Sequence, residues 1–83
     1  MENPLYDSFA ARFAACSLQS LVESFNSQVG RRGWASARAA HDLALIRELI
    51  RRGIDVSAVY DGQRISFAKH VSLSGGTLVC DKE

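Results

Sequence analysis

The chain predicts an α+β domain: two or three N-terminal helices followed by a C-terminal antiparallel β-hairpin, with room for a third short strand. Three observations predict it. Up to about residue 53, apolar residues recur at helical spacing. From residue 64 to 73, apolar and polar residues alternate. Between and beyond these regimes stand turn signals, Gly53, Asp61-Gly62 and Ser74-Gly75-Gly76.

The first 17 residues read as an amphipathic appendage to a single domain spanning 18–83. Leu5, Phe9, Phe13 and Cys16 share one helical face, with Tyr6 adjoining. Pro4 suits a first turn, and Asp7 adds negative charge near that start. Two readings compete for this stripe. It packs on the core, or it docks on a partner, a second copy of the chain included, through Leu5, Phe9 and Phe13.

Ser20-Leu21-Val22-Glu23 has the pattern of a capping box. A helix over 21–29 would bury Leu21, Val22, Phe25 and Val29, and Leu18 joins them if it begins nearer Ser17. Gly30 ends it, and Gly30 with Gly33 marks a turn. The next helix spans about 34–52. Ala39, Leu43, Ile46 and Ile50 form its stripe, widened by Leu45 and Leu49. Arg38, Asp42, Arg47, Glu48, Arg51 and Arg52 fall largely outside it. Arg38–Asp42 and Glu48–Arg52 are i,i+4 pairs worth about 0.2–0.5 kcal/mol each on an exposed face. Gly53 fits the C′ position, with Ile54 closing a Schellman cap.

Residues 55–60 suit a short strand or a turn of helix. Residues 64–73 read as a half-buried strand, with Ile65, Phe67, Val71 and Leu73 on its apolar face and Lys69 interrupting it. Residues 77–80 return as the partner. An isolated hairpin is unstable in water, so this one must pack on the helices. The expected core is Leu21, Phe25, Trp34, Leu43, Ile46, Ile50, Phe67, Val71 and Leu78.

At 83 residues the chain is one domain, of a size that buries only about 60–65% of its unfolded surface. A hydrophobic content of 47% with 23% charged residues argues for a folded globule rather than a disordered chain. The net charge of +1 excludes a protein that coats nucleic acid through its overall charge. Cys16 and Cys80 lie in no paired motif and fit a reducing compartment. The first residues lack the basic region of a secretion signal, and no uncharged apolar stretch approaches the length of a membrane span. A cytoplasmic location is the expectation.

No catalytic motif is visible. His41 and Asp42 are adjacent on a helix, about 100° apart, and are not expected to pair directly. No nucleophile elbow exists. His41, His70, Cys16 and Cys80 have no metal-ligand spacing. The glycine turns match no phosphate-binding pattern. The expectation is a non-enzyme with no catalytic residue, metal or cofactor.

The arginines are the one feature that points to a partner. Six of the ten Lys and Arg residues lie between Gly30 and Gly53, against Asp42 and Glu48, a local excess of +4. The candidate anion-binding residues are Arg31, Arg32, Arg38, Arg51 and Arg52, with Trp34 beside them. They suit nucleic acid or an acidic protein surface. The alternative is an interaction or dimerisation module built on the apolar N-terminal helix, with the arginines merely solvated.

The order Phe25-Asn26-x-x-Val29-Gly30-x-x-Gly33-Trp34-x-x-Ala37-Arg38, followed by a helix, Arg52-Gly53-Ile54-Asp55 and a short hairpin, resembles a group of small bacterial proteins with no assigned activity. The resemblance covers roughly residues 21–79. It implies a bacterial source or a mobile element, and no catalytic residue or ligand.

Overall fold

A computed structural model describes residues 4–30 and 36–81. Among these residues the order is α1 (Pro4–Ala14), α2 (Leu18–Ser27), α3 (Ser36–Arg51), β1 (Val71–Ser74) and β2 (Thr77–Cys80). The fold is α+β with a C-terminal antiparallel β-hairpin. Of the expected residues, Arg31, Arg32, Gly33 and Trp34 lie outside the described ones.

Helix α1 begins at Pro4 and carries Asp7 in its first turn. It lies along α3, with Phe13 buried in the same apolar cluster as α2, α3 and the hairpin. Helix α2 is capped by Ser17, not Ser20. The Ser17 hydroxyl accepts the Ser20 N–H at 3.1 Å, and the Ser17 carbonyl accepts the Leu21 N–H at 3.1 Å. The earlier start brings Leu18 onto the stripe of Leu21, Val22 and Phe25, the i, i+3, i+4, i+7 pattern of one buried face. That packing outweighs the local capping-box signal.

Helix α3 is central, with α1 on one side and α2 on another. Burial therefore reaches further around it than one stripe. Leu45, Ile46 and Leu49 are fully buried, Leu43 is half-buried, and Ile50 is 47% exposed. Ile50 is thus not a core residue. Asp42 and Glu48, expected outside the stripe, are only 1% and 6% exposed. The C-terminus of α3 is the expected Schellman cap. Gly53 has φ +80°, its N–H bonds the Ile50 carbonyl at 2.9 Å, and the Ile54 N–H bonds the Leu49 carbonyl at 3.0 Å.

The hairpin pairs Val71 with Cys80 through to Ser74 with Thr77. Its two-residue turn is Gly75-Gly76, φ +56° and +82°, the positive pair that a type I′ turn requires. The strand is shorter than the expected 64–73, because the earlier residues bond elsewhere. Ile65 bridges Tyr60, the Ser66 N–H bonds the Val59 carbonyl at 2.7 Å, and the Phe67 carbonyl accepts the Gly30 N–H at 3.3 Å. Lys69 therefore lies outside the strand and interrupts no sheet face. A third strand is reduced to one parallel bridge, Asp55 with Thr77.

Asn26 joins the hairpin to α2. Its amide donates to the Val71 carbonyl at 2.9 Å and accepts the Val71 N–H at 2.8 Å. One side chain thus mimics a neighbouring strand at a buried backbone position. Phe67, half-buried, sets its ring 4.6 Å from that of Phe25.

Candidate anion-binding surface

The four arginines of the third helix and its cap divide by direction. Arg38 and Arg52 turn inward, each held by a buried carboxylate four residues away. Arg38 Nε lies 3.5 Å from Asp42 Oδ2. Its Nη2 donates to the Gln28 carbonyl at 3.3 Å, at the C-terminus of α2. The guanidinium also stands 5.7 Å from the centre of the Phe67 ring, a cation–π distance.

Arg52 does the same for α1. Its Nε donates to Glu48 Oε2 at 2.7 Å, and its Nη2 reaches the carbonyls of Phe13 (3.0 Å), Ala14 (3.3 Å) and Cys16 (2.6 Å). Helix α1 has no glycine after its last residue. A guanidinium from α3 satisfies its terminal carbonyls instead, with positive charge at the negative end of the helix dipole. The two i,i+4 pairs are therefore internal clamps, not surface pairs.

Arg51 faces out. Its side chain is 64% exposed, and it grips Glu48 through two bonds, Nε–Oε1 at 2.9 Å and Nη2–Oε2 at 2.6 Å. Hydrogen bonding from Arg51 is the main cause that holds the Glu48 carboxyl down at about 2. Burial opposes it and Arg52 adds to it. Glu48 in turn raises the Arg51 guanidinium. Arg47 is exposed and makes no ion pair among the described residues.

Among the described residues, hollows open around the 57–67 segment, and two of the following also have α3 on a wall. One of about 320 Å³ is bounded by Arg47, Ile50, Arg51 and Tyr60. A second of about 340 Å³ lies between Tyr60, Asp61, Arg64 and Ile65. A third of about 380 Å³ has Asp42 and Leu43 on one wall and Gln63, Arg64 and Phe67 on the other. The first two share Tyr60, and the last two share Arg64 and Ile65. Tyr60 therefore stands between a hollow with two arginines and a hollow with one. Its hydroxyl donates to the Gly62 carbonyl at 3.0 Å, and its backbone bridges Ile65, so the ring is held on a tight turn. Asp61 shapes that turn by accepting the N–H groups of Gln63 and Arg64 at 2.8 and 2.7 Å. The Arg64 backbone bond is the largest of the causes that lower its carboxyl, so it stays charged.

Of the expected site residues, only Arg51 is placed on this surface. Arg38 and Arg52 are engaged inside the fold, and Arg31, Arg32 and Trp34 lie outside the described residues. Sequence reasoning did not include Arg47, Arg64 or Tyr60. Two signals for them were present: Arg47 and Arg51 are one helical turn apart, and Asp61-Gly62 folds Tyr60 back on Arg64 and Ile65. Nothing in the sequence placed that turn against the helix.

The histidine expectation needs a correction. His41 Nδ1 lies 3.0 Å from Asp42 Oδ1, so the adjacent pair does meet. Phe9 and Phe13 of α1 both meet the His41 ring in T-shaped contacts at 5.1 Å, and a ring placed between them and the helix has its Nδ1 within reach of the carboxylate. The contact joins α1 to α3. Among the described residues no three His, Cys, Asp or Glu side chains gather at metal-binding range. Cys16 and Cys80 are free thiols. No described helix is long and apolar enough to cross a membrane.

No family model, curated protein or solved structure matches this chain.

Proposed function

We propose that the protein is a small non-enzymatic binding module whose outward arginines contact an anionic partner, either nucleic acid or an acidic protein surface. One observation carries the reading. Arg47 and Arg51 stand one turn apart on the exposed side of α3 and open into the same hollow as Tyr60. An i,i+4 pair sets two charges about 5–6 Å apart at their roots, a spacing suited to consecutive anionic groups. Arg31 and Arg32 extend the positive stretch in the sequence before α3. A cytoplasmic setting fits two free thiols.

The test is a titration at two salt concentrations, about 50 and 200 mM, against labelled nucleic acid and poly-glutamate. Binding should weaken with salt. Arg47→Gln with Arg51→Gln should flatten the dependence on nucleic acid by up to about 1.5 in log K against log salt, two single-strand phosphates' worth. Absence of salt-dependent binding to every polyanion would refute the reading. The alternative, association through α1, retains exposed Leu5 as its contact, whereas Phe13 is buried and Phe9 is half-buried against His41.

A further inference from the structure

We infer that the partner is single-stranded nucleic acid and that Tyr60 is the residue on which a base stacks. The inference rests on the anion-binding reading and deepens it. Proteins that hold single strands without strong sequence preference combine a positive groove with aromatic side chains, because every base offers a π-face. The fold assembles that combination from two distant parts of the chain. Arg47 and Arg51 come from α3, and Tyr60 and Arg64 from the 57–67 segment. Tyr60 borders both hollows, of about 320 and 340 Å³, with Arg47 and Arg51 on the wall of one and Arg64 on the wall of the other, so open space and positive charge meet at this residue. Its hydroxyl bond to Gly62 and its bridge to Ile65 fix the ring in place, which lowers the ordering cost of stacking.

The groove's own charges agree. Asp42 is paired with Arg38, and Glu48 with Arg51 and Arg52. Asp61 is the exposed carboxylate that opposes an anion, and Arg64 lies next to it in the same hollow. Counted once each, the five arginines Arg38, Arg47, Arg51, Arg52 and Arg64 stand against the three carboxylates Asp42, Glu48 and Asp61, which leaves a net excess of two positive charges for phosphates. A duplex hides its base faces, and an acidic peptide has none, so neither uses the ring.

The experiment uses the full chain and three probes: a labelled oligothymidylate of about ten nucleotides, a duplex of the same length, and poly-glutamate. Tyr60→Phe removes the hydroxyl bond and keeps the ring. Tyr60→Leu keeps apolar bulk and removes the π-face. The expected result is that the single strand binds tightest. Tyr60→Phe should lose only the ordering that the hydroxyl bond supplies and stay far closer to the wild type than Tyr60→Leu, which should bind about 5- to 150-fold more weakly than the wild type, the worth of one stacked base. If Tyr60→Leu binds like the wild type while Arg47→Gln with Arg51→Gln weakens binding, stacking is overturned and the anion-binding reading stands. Equal or tighter binding of duplex or poly-glutamate also overturns the single-strand assignment alone. No salt-dependent binding of any probe overturns both. A readout independent of variant folding is photocrosslinking of the wild-type chain to an iodouridine oligonucleotide. A crosslink mapped to Tyr60 supports the inference, and crosslinks confined elsewhere overturn it.

Discussion

Arginine is the residue type whose sequence meaning changed most in the fold. Four arginines sit on or next to α3, and their roles follow from which side they face. Arg52 bonds one buried carboxylate and three carbonyls, so Arg52→Ala leaves the end of α1 without its donor. Unfolding by denaturant should show a loss of about 2–3 kcal/mol, the worth of charge-assisted bonds at a partly buried site. Arg51→Ala should cost less, because its side chain is 64% exposed and Arg52 still holds Glu48. Equal losses would show that the two arginines do not divide in this way. Glu48 has a pH consequence. Its folded carboxyl titrates near 2 against an ordinary 4.5. A depressed folded value means that its contribution is complete above about pH 4.5 and disappears as pH falls towards 2. Urea midpoints measured across that window should fall with acidification in the wild type and fall less in Glu48→Gln. Parallel profiles would remove Glu48 from the acid response.

At the scale of elements, the joints decide stability. The hairpin has four residues per strand and depends on Asn26, whose amide satisfies both backbone groups of buried Val71. Asn26→Ala strands that pair and should cost about 1–3 kcal/mol. Asn26→Asp should not rescue it, because the carboxylate accepts from the Val71 N–H but sets an oxygen against its carbonyl. The end of α3 depends on Gly53 at φ +80°. An added Cβ would meet nothing within 4 Å, so the penalty of Gly53→Ala is conformational, about 1–2 kcal/mol. That cap was legible in the sequence because helix, glycine and apolar residue are consecutive. The start of α2 was not, because Ser17 and Ser20 both head plausible caps and the choice depended on burying Leu18. The length of β1 was not legible either. Alternation continues back to residue 64, but it describes side-chain exposure and does not name the backbone partner.

For the whole molecule, the question is whether α1 is an arm or a wall. Phe13 belongs to the buried cluster, Phe9 and Phe13 pack on His41, and Arg52 holds the helix end. Removing residues 1–16 should therefore strip one side of α3 and abolish cooperative thermal unfolding, well beyond any effect on association. A truncated chain with an unchanged melting transition would restore the detachable arm. The chain's local order determined the α+β class, the cap at Gly53, the Gly75-Gly76 turn and the local excess of arginines, because each depends on neighbours a few residues apart. The tertiary structure alone decided which arginines remain available. Arg38 and Arg52 are taken up by the ends of other helices, and Tyr60 comes to border the same hollow as Arg47 and Arg51 only after the 57–67 segment folds back on α3. Direction around a helix follows from what packs against it, and that depends on contacts between residues distant in sequence.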